Sequence, residues 1–190
     1  MVASTADGKI RMNFSDVIRF WFEETDSKQW WVKDAAFDAR IRARFEATHR
    51  AARQGELFEW RTTSEGRLAE VIVLDQFSRN MYRDTPQAFA YDPLALILAQ
   101  EAVARGADRD LPPPRRAFLY MPYMHSESLL IHEQAVGLFS QPGLEHNLDF
   151  EFKHKRIIER FGRYPHRNAI LGRKSTLEEL EFLRQPESSF

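Results

Sequence analysis

Three stretches of this 190-residue chain carry side chains in patterns that suit acid–base or anion chemistry. The first is Leu74-Asp-Gln-Phe-Ser-Arg-Asn80, extended to Arg83. On a helix, Asp75 and Arg79 are i, i+4 partners, and Gln76, Asn80 and Arg83 follow on a neighbouring stripe. All five continue from the apolar run Val71–Leu74, so they enter the interior with it. A carboxylate or guanidinium is tolerated there only when paired and hydrogen-bonded. Such a group serves either as a structural network between helices or as one wall of a polar pocket.

The second stretch is His125-Ser-Glu127, after the aromatic-rich Phe118–Tyr123. Pro122 removes a backbone donor and clashes with the preceding turn, so the backbone is expected to break or bend there. Ser126 would then cap the next helix. A histidine beside a carboxylate at a helix start can act as general acid or base, and His125 and Glu127 are candidates for that role. They serve equally well as a cap and its hydrogen-bonding neighbours.

The third runs from Arg160 to Asn168, with Arg163, His166 and Arg167 projecting from a turn set by Gly162 and Pro165. Between Lys153 and Lys174 stand eight basic residues and one acid, Glu159. Guanidinium groups bind carboxylates and phosphates through paired donors, which makes this stretch a candidate anion site and His166 a third acid–base candidate. A solvated basic face neutralised by Glu178, Glu179 and Glu181 is the competing arrangement.

His154 lies on the apolar side of its helix and is expected as a hydrogen-bonded core residue. No histidine pair shows a recognised metal-ligand spacing, so no metal and no cofactor are expected. Phosphate-binding loops, dinucleotide fingerprints and nucleophile elbows are also absent from the sequence. Trp21, Trp30, Trp31 and Trp60 are expected in the core or at helix junctions, with a ligand slot as the alternative.

The elements that must position these groups read as helices. Phe14, Val17, Ile18 and Trp21 repeat at helical spacing, with Ser15 as the expected N-cap. A second helix opens near Asp34 and ends at Gly55; a third covers roughly residues 65–83 and is apolar around its middle. Asp92-Pro93 predicts an N-cap and first-turn proline, followed by a stripe of Leu94, Ile97, Leu98 and Ala102 that stops at Gly106. Pro112–Pro114 reads as a stiff connector. Further helices are expected over about 126–140 and 148–161, and a last one from Ser175 with Ser-Thr-Leu-Glu178 as capping box. Seven or eight helices without a strand pair give an all-α, single-domain stack of antiparallel helix pairs over residues 13–190, with 1–12 a disordered extension.

Composition agrees. Hydrophobic residues make up 43% and charged residues 29% of the chain, and fifteen Phe with four Trp supply large apolar surfaces for collapse. Basic and acidic residues number 27 and 28, so no global field favours nucleic acid or a membrane surface. Cysteine is absent, which removes disulfides, thiol nucleophiles and cysteine metal sites. The start of the chain shows no signal-peptide core, and no apolar run approaches the length of a membrane span. A cytoplasmic location is expected.

Motifs along the chain fall in a familiar order: Phe20-Trp-Phe22, Gly55-Glu-Leu57 with Trp60, Leu74–Asn80, Phe118-Leu-Tyr120 and His125-Ser-Glu127. Arg160-Phe-Gly-Arg163, Pro165-His-Arg-Asn168, Leu171-Gly-Arg173 and Ser175-Thr-x-Glu-Glu179 with Phe182-Leu183 follow. In these, from Asn13 to Phe190, the chain resembles the bacterial domain-of-unknown-function family numbered 924. The resemblance implies an all-α fold similar to tetratricopeptide-type stacks and no established activity, so it transfers no catalytic residue.

The functional expectation is a polar pocket for a small anionic molecule. It is lined by Asp75, Gln76, Arg79, Asn80, Arg83, His125, Glu127, Arg160, Arg163, His166, Arg167 and Asn168, with arginines stabilising negative charge if it is an enzyme. The alternative is a non-enzymatic, repeat-like scaffold for a protein or peptide partner. Nucleic-acid binding through the basic stretch is disfavoured by the neutral overall charge and the adjacent acidic helix.

Overall fold

The computed structural model describes residues 12–186, 188 and 189; the expected N-terminal extension lies almost wholly outside them. Eight α-helices and no strand are present among the described residues. In order they are α1 (Phe14–Arg19), α2 (Ala35–Arg53), α3 (Ser64–Met81), α4 (Asp92–Ala104), α5 (Pro113–Met124), α6 (Leu129–Phe139), α7 (Glu145–Phe161) and α8 (Leu177–Phe182). From α2 to α7 each helix packs on the next, and α3 also touches α1 and α5. No helix among the described residues is long and apolar enough to cross a membrane.

The sequence dictates that α3 is the centre. Every residue from Leu68 through Ser78 is buried, as expected for a helix apolar around several faces. Around it gathers an aromatic cluster: Trp21 meets Trp30, Phe37, Phe77 and Phe118 at centroid distances of 5.6–6.1 Å. Trp21 is thus core. A smaller second core of Ile157, Ile158 and Tyr164 lies with Phe161 and Phe182 near the C-terminal end of α7.

Several local expectations need correction. The N-cap of α1 is Asn13, whose side chain accepts from the Asp16 N–H in a full capping box, while Ser15 Oγ merely donates to Asn13 at 2.6 Å. Tyr91, not Asp92, caps α4, because the Asp92 carboxylate is engaged by Arg79. The buried stripe of α4 is Ala95, Ala99 and Ala102, with Ile97 59% exposed; small side chains let α4 lie close on its neighbours.

The proline run is no connector. Pro112 caps α5 and Pro113 opens it, since a fixed φ and a missing N–H suit a first turn. Pro122 does not break α5, which runs on to Met124, only two residues further. Helix α6 then starts at Leu129, and Ser126 Oγ accepts from the Ser128 N–H to close the intervening turn. The final capping box is Thr176 with Glu179, one residue later than the sequence suggested.

Candidate functional site

Asp75, in the last half of α3, is the hub of a polar cluster. Its Oδ1 accepts from His125 Nδ1 at 2.7 Å and pairs with Arg79 at 2.9 Å, while Oδ2 accepts from Gln76 at 2.6 Å. Arg79 also forks onto both oxygens of Asp92 at 2.9 Å each. Burial alone would raise the Asp75 carboxyl, but Arg79 and His125 outweigh it and hold the group ionised, below the usual carboxylate range.

His125 is the C-cap of α5, a position that would leave helix-end carbonyls without partners. Three side chains supply them. Tyr164 OH donates to Met124 O at 2.5 Å, Arg167 Nη2 to His125 O at 3.0 Å, and His132 Nε2 to Ser126 O at 2.9 Å. The backbone is therefore clamped on both sides of His125 while Asp75 fixes its ring. Because the carboxylate is an acceptor, Nδ1 carries the proton and Nε2 the lone pair. Burial and the Arg79 guanidinium push His125 below the ordinary histidine value, against Asp75 and Asp92. The neutral ring is a proton acceptor at neutral pH, its side chain 15% exposed and its Nε2 without a partner among the described residues.

Glu127 does not join His125. Both its oxygens bind Arg173, at 2.6 and 2.9 Å, and Oε1 also accepts the Tyr164 N–H at 2.7 Å. Arg167, 6% exposed, lies between the rings of Phe89 and Tyr164, at 4.7 and 4.6 Å, and reaches Asp92 at 3.4 Å. His166 sits in the same region: Arg167, Glu127, Arg79 and His125 all influence its titration, after burial.

Five predicted residues bind elsewhere. Asn80 and Arg83 converge on Asp38 of α2, at 2.6–2.8 Å, tying α2 to α3. Arg160 pairs with Glu178, and Arg163 binds Glu179 through both oxygens, so the acidic last helix neutralises this part of the basic stretch. Asn168 donates to Ser175 at 3.0 Å. The spacing missed Asp92, Tyr164, Phe89 and Arg173, although Arg173 stands in a motif that could have flagged it.

The motif's Ser78 offers no nucleophile. It is fully buried, its Oγ donates to Leu74 O at 2.6 Å, and it accepts from His49 Nε2 at 2.8 Å. No group of three or more His, Asp or Glu side chains that could hold a metal ion occurs among the described residues.

The comparisons with known proteins agree with this architecture. Residues 17–187 match the model of a family described as "Bacterial protein of unknown function (DUF924)". The chain belongs to the DUF924 family. A solved structure of a protein of unknown function from Agrobacterium tumefaciens is 40% identical, with a TM-score of 0.85, covering 90% of this chain and 96% of that one. No curated protein matches the chain significantly. The fold of this DUF924 chain is thus shared with that structure, and neither comparison assigns an activity.

Buried histidines give this DUF924 chain a definite pH response. Burial pushes His49 and His166 down to about 4 and His154 to about 3. An unfolded histidine takes up its proton near pH 6.5, so unfolding consumes protons between that value and the depressed ones. Stability is complete above pH 6.5 and falls as the pH drops toward 4. Glu151, whose burial raises its carboxyl, opposes this with the other sign, but as one group against three. The expected loss at His49 alone is about 1–3 kcal/mol between pH 7 and 4.5, read from urea midpoints. His49→Gln should flatten that slope by roughly one proton; an unchanged slope refutes the assignment.

Proposed function

We propose that the chain binds a small anionic molecule beside His125 and uses His125 Nε2 to accept a proton from it. What carries this reading is a shortage of acceptors around an open imidazole. Arg167 Nε, Arg173 Nε and His166 Nδ1 are buried without a partner, although the surrounding guanidiniums of Arg79, Arg167 and Arg173 are matched by Asp75, Asp92 and Glu127. A buried N–H without an acceptor costs about 1–3 kcal/mol, which an anion's oxygens would relieve. The Asp75–His125 pair supplies the base, and Arg79 and Arg167 stand where developing negative charge needs opposition. We place the reaction in the cytoplasm, the compartment that the cysteine-free composition suits.

The test is a panel of small anions (phosphate, sulfate, dicarboxylates) against wild type and a His125→Gln, His166→Gln double variant. At about 100-fold excess over Kd, a bound anion should add about 2.7 kcal/mol of stability to wild type, read as a rise in Tm. The imidazole nitrogen signal of His125 should move with it. Equal behaviour of wild type and the double variant across the panel refutes the reading.

A further inference from the structure

A separate feature lies along the outer face of α7. Two depressions, of about 290 and 430 Å³, adjoin there and share Arg156. The first has an apolar floor of Ile157, Phe161 and Phe182, the two rings 5.0 Å apart, beneath a rim of Lys153, Arg156 and Arg160. Among the described residues no carboxylate lines it. Arg160 spreads over both rings at 4.8 and 5.8 Å, keeping its charge beside the apolar floor while its Nε holds Glu178. Arg156 spends only its Nε on Phe152 O, at 3.2 Å, and its terminal nitrogens bond no other described residue. The second depression is bounded by Phe152, 42% exposed, and by the Lys155–Glu159 pair.

We propose that this face docks an acidic segment of another protein, seating one aromatic or aliphatic side chain between Phe161 and Phe182 with its carboxylates along Arg156 and Arg160. Phe152 and Phe161 are nine residues apart on one helix, about 14 Å, the reach of roughly four extended residues. Both depressions are shallow and open, whereas a metabolite site encloses most of its ligand. Glu159 beside Lys155 and Glu178 on Arg160 interrupt the line of basic groups and give a phosphate backbone no continuous track, which separates this face from a nucleic-acid groove. Charge complementarity at the rim selects an acidic partner, and the aromatic floor supplies the anchor. The inference is independent of the His125 site.

Fluorescence polarisation with labelled hexapeptides tests it, using the intact chain. The first peptide has carboxylates around a central phenylalanine, the second replaces phenylalanine by alanine, and the third replaces the carboxylates by lysines. A twelve-nucleotide thymidine oligomer is the fourth probe. The acidic phenylalanine peptide should bind with a Kd below about 1 mM, the alanine peptide at least about 5-fold more weakly and the lysine peptide not measurably. Arg156→Glu, which breaks no side-chain pair, should weaken binding by about 10-fold or more, with an unchanged far-UV spectrum and Tm showing that the fold persists. Phe182→Ser should weaken the phenylalanine peptide and leave the alanine peptide unchanged. Failure of the acidic peptide to bind, equal binding of the lysine peptide, stronger binding of the oligomer, or indifference to Arg156→Glu each overturns the proposal.

Discussion

Replacing Asp75 by alanine should destabilise the protein by about 3–5 kcal/mol, the cost of removing one partner from a buried ion pair. The carboxylate is fully buried and accepts from three side chains at once. Arg79 would keep Asp92 and the Asp75 backbone oxygen, so its charge is not wholly stranded. His125 and Gln76, however, would lose their side-chain partner, and a cavity would remain. Asp75→Asn keeps the volume and one acceptor but loses the charge, so it should cost about half as much. Folding holds the Asp75 carboxyl below the usual range, so its contribution is present above the unfolded value near pH 4 and fades as the pH falls through the lower folded value. The difference between wild type and Asp75→Asn should therefore be constant above about pH 5 and shrink in stronger acid. Urea unfolding at pH 7 and pH 3 measures both numbers. A cost under about 1 kcal/mol for Asp75→Ala would show that the hub is held by its surroundings and not by its charge.

How far this hub was legible depends on the range over which each contact acts. Asp75 with Arg79 could be read from i, i+4 spacing, because one helix fixes that geometry by itself. The same rule grouped Asn80 and Arg83 with them. It describes a stripe on α3 but not which neighbour faces it, and the stripe turns to Asp38 of α2. Asp92 before a proline fits an N-cap as well as a first-turn residue, and only Arg79, thirteen positions away, decides between them. His125 and Glu127 look like partners in sequence. Yet the turn after α5 sends one to Asp75 and the other to Arg173, at separations of 50 and 46 residues. The helices other than α5 were legible because apolar periodicity is local, whereas the prolines at 112–114 and 122 hid α5 behind a connector and a break; end residues shifted wherever a side chain found a tertiary partner instead of a backbone cap.

Gly66→Ala should cost about 3 kcal/mol or more, although alanine is the better helix former by about 1 kcal/mol. Gly66 is in the first turn of α3, where its N–H donates to the Thr63 cap at 3.0 Å. A Cβ there would stand 2.0 Å from Trp60 O and 2.8 Å from Trp60 C, both backbone atoms that no rotamer change can move. The turn Phe58–Thr62 would have to withdraw from α3, and Arg61 with it, whose guanidinium grips the buried Glu70 at 2.7 Å through two bonds. Gly137, exposed in α6, is the control: a Cβ there meets nothing within 4 Å, so Gly137→Ala should stabilise by up to about 1 kcal/mol. One substitution with opposite signs at two helical glycines separates close backbone approach from helix propensity. If both alanines stabilise, the packing of Trp60 on the start of α3 is looser than these distances require, and the placement of Asp75 two and a half turns further along loses its firmest support.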